Sequence, residues 1–361
     1  MTGLESSYRG KSILLTGHTG FKGGWLALWL GQLGAKVHGF ALQPSTPDNL
    51  FETARVARSL ASDTRGDIND LKQLQAVFAA VQPEIVFHLA AQPLVRPSYR
   101  DPLGTFSTNI MGTAHVLEAA RATPSVRATV MITTDKVYEN REWEYPYREA
   151  DPLGGHDPYS ASKAASEIVI GSYRSSFSGN SSAMPARIAS ARAGNVIGGG
   201  DWSAERLVPD CLKAFSKDQP VHLRYPHAVR PWQHVLEPLG GYLCLGAALS
   251  GIDGDDFATA WNFGPDASGD RTVGEIARAV AAHWGSDAKV ICDSAPPSLH
   301  EAGLLRLDST RARQNLGWRP RWTVSQAVEN TVRWHRAWLA GRDMHDYTRS
   351  EIAAYQALPP I

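Results

Sequence analysis

Cysteine is scarce in this chain of 361 residues: three stand far apart, Cys211, Cys244 and Cys292, without a Cys-x-x-Cys pair. That spacing argues against both a disulfide framework and a zinc knuckle, and no metal site is expected. Net charge is missing as well. Lys plus Arg and Asp plus Glu number 36 each, so nothing electrostatic points to a nucleic-acid partner or a membrane surface. The apolar runs are broken by charges or glycines before they reach spanning length, and Met1 to Gly10 is short and polar. The expectation is a cytoplasmic protein, in which the sequon Asn180-Ser181-Ser182 goes unused. Internal repeats, low-complexity tracts and long charge runs are absent too. What remains is a chain 43% hydrophobic, long enough for one large domain and a smaller companion.

The apolar run Ser12 to Thr16 ends at Gly17-His18-Thr19-Gly20-Phe21-Lys22-Gly23-Gly24, after which Trp25 to Leu33 reads as a helix. Strand, glycine turn and helix in that order form the context of a dinucleotide site: Gly17, Gly20 and Gly23 allow a tight turn, close approach of a pyrophosphate and tight helix packing. The fingerprint also wants a carboxylate about 20 residues on to hold the adenosine ribose. None stands at the end of the next strand, Ala35 to Ala41, and Asp48 lies late, so the choice between NAD and NADP is not written there.

Alternation continues with a strand at Leu60 to Thr64, then Gly66-Asp67-Ile68 and a helix from Asn69 to Val81. Asp67 suits either an adenine contact or a helix cap. Glu84 to Ala91 reads as a buried strand whose small end, Ala90-Ala91, would let a cofactor lie close over the sheet. A helix from Asp101-Pro102 to Arg121 carries Asn109 in its interior, where asparagine is mildly costly unless exposed or hydrogen-bonded. The strand Thr129 to Thr134 delivers Thr134-Asp135-Lys136 to the carboxyl edge of a parallel sheet, where ligands sit.

Asp157-Pro158 suits a helix cap and first position, opening a helix to about Phe177. Tyr159 and Lys163, four apart on that helix, share a face, and the cation biases the phenol toward phenolate. Tyrosine titrates near pH ~10 and needs such help to act as a base at neutrality. The spacing is common by chance; the glycine turn gives it a nicotinamide to work with. Ala186 to Ala193 is a further strand. Beyond it alternation dissolves into helices at Leu207 to Phe215, Val235 to Leu249, Thr272 to Trp284 and Thr323 to Leu339, with strands at Ala258 to Phe263 and Lys289 to Cys292. The expected fold is α/β, a doubly wound parallel sheet (Rossmann) over residues 1–193, with a smaller mixed α/β substrate domain over 194–361 whose segments interleave with the first. Arg224, Arg230 and Arg306 in the second part suit a diphosphate, which the guanidinium fork binds bidentately.

Taken in order, the glycine turn, the strand-end threonine and the Tyr-x-x-x-Lys helix resemble the extended short-chain dehydrogenase/reductase superfamily. Within it the chain is similar to the CDP-glucose 4,6-dehydratase family. The stretches that carry this are Thr16 to Gly23, His88 to Arg96, Thr134 to Tyr138, Arg192 to Trp202 and Arg230 to Val235, and the likeness runs from about Lys11 to about Leu339. The resemblance implies NAD as cofactor, CDP-glucose as substrate and a homodimer or homotetramer built on the helices 102–121 and 158–177. It implies that Tyr159 takes the proton of the sugar 4-hydroxyl as hydride leaves C4, that Thr134 bonds the 4-oxygen, and that Lys163 also holds the nicotinamide ribose. Asp135 then protonates the departing 6-hydroxyl, and Lys136, where dTDP-glucose and GDP-mannose dehydratases carry glutamate, removes the C5 proton or positions a water that does. By position, Gly17, Thr19, Gly20, Phe21, Lys22, Gly23, Asp67, Ile68, Leu89, Ala90, Ala91, Asn109 and Thr133 line the cofactor, and Gln92, Arg96, Asn195, Arg230 and Arg306 the substrate. One stretch departs: Gly303-Leu304 stands where relatives often show His-Tyr.

Overall fold

The computed structural model describes residues 2–178, 186–223, 225–266, 269–285, 287–292 and 302–359. Arg224 and the sequon at Asn180 lie outside them. Its strands, in chain order, are β1 Ser12–Thr16, β2 Lys36–Ala41, β3 Ser62–Arg65, β4 Ile85–His88, β5 Ala128–Ile132, β6 Arg187–Ala193, β7 Asn195–Ile197, β8 Val221–Leu223, β9 Val229–His234, β10 Ala260–Phe263, β11 Asp270–Thr272 and β12 Val290–Cys292.

Seven of these form one parallel sheet in the order β10-β6-β5-β4-β1-β2-β3. Every residue of β4 and β5 is buried, as a sheet covered by helices on both faces requires. The chain reverses direction across the sheet between β1 and β4, and the carboxyl ends of those two strands, Thr16 beside His88, open the crevice where such sheets take ligands. The helix after β1, Phe21–Gln32, is buried without interruption from Gly23 to Leu30. It is covered by the sheet on one side and on the other by a C-terminal helix, Met344–Ala357, which the sequence reading did not find. Trp29 meets Tyr355 edge to face at 5.6 Å.

The helix expected over 102–121 is one rod with a defect. Pro102–Phe106 and Gly112–Arg121 are α-helical, and Ser107–Met111 between them is a π turn centred on Asn109. Such bulges are tolerated where the displaced residue is put to use. The helix Leu71–Val81 is capped by Asp70, whose side chain accepts from Gln73 N–H. Asp67 therefore caps no helix; it closes a short turn by accepting from Asn69 N–H at 2.9 Å.

A smaller core gathers Ile197, Leu212, Phe215, Trp232, Ile276 and Val332 between the helices Leu207–Phe215, Val273–Trp284 and Val324–Leu339 and the short sheets β11-β9-β7 and β12-β8. Two of its helices start at full capping boxes, Thr272 with Glu275 and Thr323 with Gln326. Chain order misplaces two segments. β10 pairs with β6 in the large sheet, and the helix Leu236–Leu249 packs on β5 and β6, because their all-round apolar faces need the larger core.

Candidate active site

The glycine turn closes as its spacing requires. Gly17, at φ +78°, donates to Phe40 O, and a Cβ there would lie 2.6 Å from the backbone nitrogen of Ala90. A Cβ on Gly23 would fall 2.1 Å from Gly17 O. Gly20 differs: a Cβ there would meet only Gly17 O, at 3.4 Å, so the space it faces is open. Gly20 is also the cap of the helix Phe21–Gln32 and supplies no side chain to its first N–H groups. An open cradle above uncapped N–H groups, at the switch point of the sheet, fits the pyrophosphate of a dinucleotide. Leu89, Ala90 and Ala91 are half-buried at the end of β4 beside it, and Ile68 is buried under the helix at Gly112.

Beside the glycine turn, β3 carries a carboxylate where β2 has none. Asp63, on β3, bonds His18 Nε2 at 2.9 Å and Arg65 at 2.9 Å, and Arg65 lies over the ring of Phe51 at 4.5 Å. Sequence reasoning missed this carboxylate because it sits one strand further out and its partner His18 is 45 positions away. Thr19 donates to Leu42 O at 3.0 Å and holds the end of β2 against the turn. Lys22 reaches past the cradle to the hydroxyl of Tyr242 at 3.1 Å. Burial and the charges of Arg206 and Lys163 bring its pKa down to about 7.

The helix Pro158–Phe177 begins at Asp157, whose carboxylate accepts from Ser160 N–H. Its inward face carries Tyr159, Lys163 and Glu167 on successive turns, all buried. Burial raises the Tyr159 phenol to about 12, against the opposing pull of a hydrogen bond with Thr134 and the charge of Arg206. Lys163 donates to Ile132 O at 3.0 Å; burial lowers it to about 8, and Glu167 works the other way. Arg206 was not singled out from sequence. It pairs with Asp201 at 3.4 Å, in a loop that Trp202 anchors on Trp334 and Trp338.

Asp135 completes the arrangement. It is 2% exposed, and Thr134 donates to its Oδ1 at 2.9 Å. Its Oδ2 is buried with no partner. Desolvation raises its pKa, while Lys136, Thr134, Arg230 and Lys22 draw it back down. Thr134 thus lies beside both the phenol of Tyr159 and the carboxyl of Asp135 at the end of β5. A buried carboxyl whose pKa desolvation raises is better suited to donate a proton than an exposed one.

Other expected contacts are turned to scaffolding. Asn109 accepts from Gln92 N–H at 2.9 Å and donates to Gln92 O and to Ser162 Oγ, so its carboxamide joins the loop after β4 to the helix Pro158–Phe177. The side chain of Gln92 is spent on Leu94 and Thr105. Both amides are engaged within the chain and shape the wall beside the end of β4. Arg96 faces Glu205 at 3.7 Å. Asn195 opens β7 opposite Trp232. Arg230 is buried on β9, donating to Val229 O and Ala302 O, and its charge reaches Asp135. Arg306 pairs with Asp270 at 2.9 Å and donates to Glu144 O. Val229 N–H donates to Gly303 O at 2.9 Å and an isolated bridge pairs Val229 with Leu304, so the segment that carries Arg306 is joined to the start of β9 beside Arg230. Among the described residues there is no cluster of metal-binding side chains and no helix long and apolar enough to cross a membrane.

A family model described as GDP-mannose 4,6 dehydratase matches residues 14–238. A CDP-glucose 4,6-dehydratase of Salmonella typhimurium is 46% identical over 355 residues, covering 98% of each chain. A UDP-glucose 4-epimerase of Mycolicibacterium smegmatis is 28% identical over 334 residues, covering 90% of this chain and 98% of that one. Among solved structures, the UDP-glucose 4-epimerase of Thermus thermophilus in complex with NAD superposes with a TM-score of 0.76 at 25% identity, over 90% of this chain and 98% of its own.

Proposed function

The chain belongs to the GDP-mannose 4,6 dehydratase family, and on that premise we propose that it acts on CDP-glucose, giving CDP-4-dehydro-6-deoxyglucose. It is an NAD-dependent hydro-lyase. One observation carries the reading: Asp135 is buried beside Thr134 and Tyr159, holds an oxygen with no hydrogen-bond partner, and has its pKa raised by desolvation. An epimerase needs the tyrosine and lysine but has no use for an acid at that place.

When bound, NAD accepts hydride from the sugar C4 and returns it to C6. Tyr159 takes the proton of the 4-hydroxyl. Cations lower the phenol's high pKa, and among the protein's own groups the positive charge of Arg206 favours the phenolate. Thr134 bonds the 4-oxygen and keeps Tyr159 in line with Asp135. The 4-ketone acidifies the C5 proton, which Lys136, or a water it positions, removes. Asp135 protonates the 6-hydroxyl as water leaves. Gly17, Thr19, Gly20, Phe21, Lys22 and Gly23 hold the pyrophosphate side of the cofactor, Asp67, Ile68, Leu89, Ala90, Ala91, Asn109 and Thr133 shape its bed, and Lys163 holds the ribose. Asn195, Arg230 and Arg306 bind the diphosphate and its nucleoside. Gly303 is exposed beside Glu142, whose carboxylate accepts its N–H at 2.8 Å; this opening replaces the bulk that relatives place there.

Incubation with CDP-glucose, dTDP-glucose and GDP-mannose tests the reading. A 4-keto-6-deoxy product from CDP-glucose, without net NADH, supports it. Persistent NADH, or a product that retains its 6-hydroxyl, sinks it. If Lys136→Ala exchanges the C5 hydrogen with solvent at the wild-type rate, the role given to Lys136 is wrong. Three unpaired cysteines, Cys211 of them buried, support a reducing cytoplasmic setting. Leu103, Met111 and Ile168 are 79%, 50% and 64% exposed on the helices 102–121 and 158–177, which supports a homodimer closed on those helices. Sedimentation of Ile168→Glu as a dimer indistinguishable from wild type would count against that face.

A further inference from the structure

Glu167 sits one turn beyond Lys163 on the catalytic helix and is 4% exposed. Its Oε1 accepts from Thr133 Oγ1 at 2.5 Å and from Arg192 Nε at 3.0 Å; its Oε2 accepts from Ser190 Oγ at 2.7 Å and from Arg192 Nη2 at 2.8 Å. Four donors saturate the carboxylate. Thr133 immediately precedes Thr134 at the end of β5, and Ser190 and Arg192 belong to β6. One side chain therefore fixes the catalytic helix to both strands that border the acid.

Arg192 continues the connection. Its Nη1 donates to the Tyr138 hydroxyl at 2.9 Å, which donates to Asn262 Oδ1 at 2.7 Å. The amide of Asn262 donates to Tyr147 O at 2.9 Å and to Asp308 O at 3.1 Å. Tyr147 N–H donates to Arg306 O at 2.9 Å. An unbroken line of buried bonds thus runs from the turn after Lys163 to the segment that carries Arg306.

Stability alone does not account for such a pair, because two buried charges lose solvation that their mutual attraction only offsets. A bidentate fork does fix distance and plane between the elements it joins. We propose that Glu167 and Arg192 are positioning residues for the reaction: they set the spacing of the Tyr159–Lys163 helix against Thr134–Asp135 and tie that spacing to the substrate segment at Arg306. The proposal rests on the dehydratase reading above. The titratable groups coupled to Lys163 are Glu167, Lys22 and His88, of which His88 is held neutral by burial, so Glu167 is the carboxylate among them.

Three variants test it: Glu167→Gln, Arg192→Lys and Thr133→Val. Glu167→Gln keeps the volume but turns an amide toward Arg192 or Ser190. Its kcat is expected to fall about 10²-fold, with KM for the nucleotide sugar within about threefold of wild type. The alkaline fall of kcat is expected to move to lower pH, since Lys163 loses the carboxylate that favours its charged form. Arg192→Lys keeps the charge without the fork and is expected to lose about tenfold in kcat. Thr133→Val leaves the ion pair whole and cuts only its link to the strand end, so it decides the matter if a charged variant does not fold; a loss in kcat with KM preserved is expected. A folded Glu167→Gln or Thr133→Val with wild-type kcat and an unmoved pH profile overturns the proposal. Wild-type protein inert toward every nucleotide sugar overturns the dehydratase reading, and this proposal with it.

Discussion

The ammonium of Lys163 donates to the carbonyl of Ile132 at 3.0 Å, joining the catalytic helix to the last residue of β5. The lysine expected to serve the tyrosine next to it is thereby also held by the strand that delivers Thr134 and Asp135. Its charge is expensive there. Burial brings its pKa from 10.5 to about 8, a difference of roughly 3 kcal/mol between the protonation states.

The sign of that cost can be measured. The unfolded chain holds this proton up to pH ~10.5 and the folded chain releases it near 8, so the unfolded state binds more protons in that window. The Lys163 contribution to stability therefore rises with pH from about 8 to ~10.5. Lys163→Met is expected to abolish conversion of the sugar yet match or exceed wild-type stability in urea at pH 7, with the difference shrinking at higher pH. Loss of several kcal/mol at pH 7 would show that the bond to Ile132 outweighs the desolvation of the charge.

Asp135→Asn separates oxidation from elimination. Asparagine fits the same space and keeps the hydrogen bond from Thr134, so the fold and the tyrosine chemistry should persist. It has no proton for the 6-hydroxyl, and the overall rate is expected to fall by about 10²–10⁴-fold. In a single turnover, absorbance of reduced nicotinamide should rise and stay. Formation of the 6-deoxy product at the wild-type rate would remove Asp135 from the role of acid.

The three glycines of the turn should answer differently to alanine. Gly23→Ala drives a Cβ to 2.1 Å from Gly17 O and is expected to destabilise the protein itself. Gly20→Ala meets only Gly17 O at 3.4 Å, from an ordinary extended backbone at φ −81°. It should leave the melting temperature near wild type while weakening NAD binding by about tenfold or more, ~1.4 kcal/mol, because its methyl takes space meant for the pyrophosphate. Unchanged NAD affinity in Gly20→Ala would mean that the cradle lies elsewhere.

Local patterns make much of this site legible in the sequence. The turn at Gly17, the strand end at Thr134 and the cap at Asp157 each rest on residues within a few positions of one another, and the structure has them where spacing put them. What escaped depends on long-range pairing. Asp63 matters through His18, Glu167 through Arg192, and Arg206 through a loop held by Trp202 on a helix more than a hundred residues later. β9 was hidden by Pro231 in its middle, which as a strand signal argues against pairing. Asn109 was correctly marked as a residue needing a reason in its helix; the π turn and its bonds to Gln92 and Ser162 supply that reason.

The C-terminal helix carries the last consequence. The carboxylate of Glu351 is buried there, with Oε1 3.3 Å from His234 Nε2 and no hydrogen bond completed between them. His234 Nδ1 accepts from Leu236 N–H, so the ring is neutral with its proton on Nε2, facing the carboxylate. Burial raises Glu351 to about 8, against the pull of Arg333, and Glu237 nearby rises to about 7 by the same cause. A carboxyl whose folded pKa exceeds its unfolded 4.5 leaves the folded state holding more protons between the two values, so stability falls as pH rises through that window. Glu351→Gln keeps an oxygen for the histidine and removes the charge. Its melting temperature is expected to match wild type near pH 5 and to exceed it by about 2–4 °C or more at pH 8.5. Equal melting temperatures at both pH values would mean that water reaches Glu351 and that the C-terminal helix packs less tightly over His234 than the structure has it.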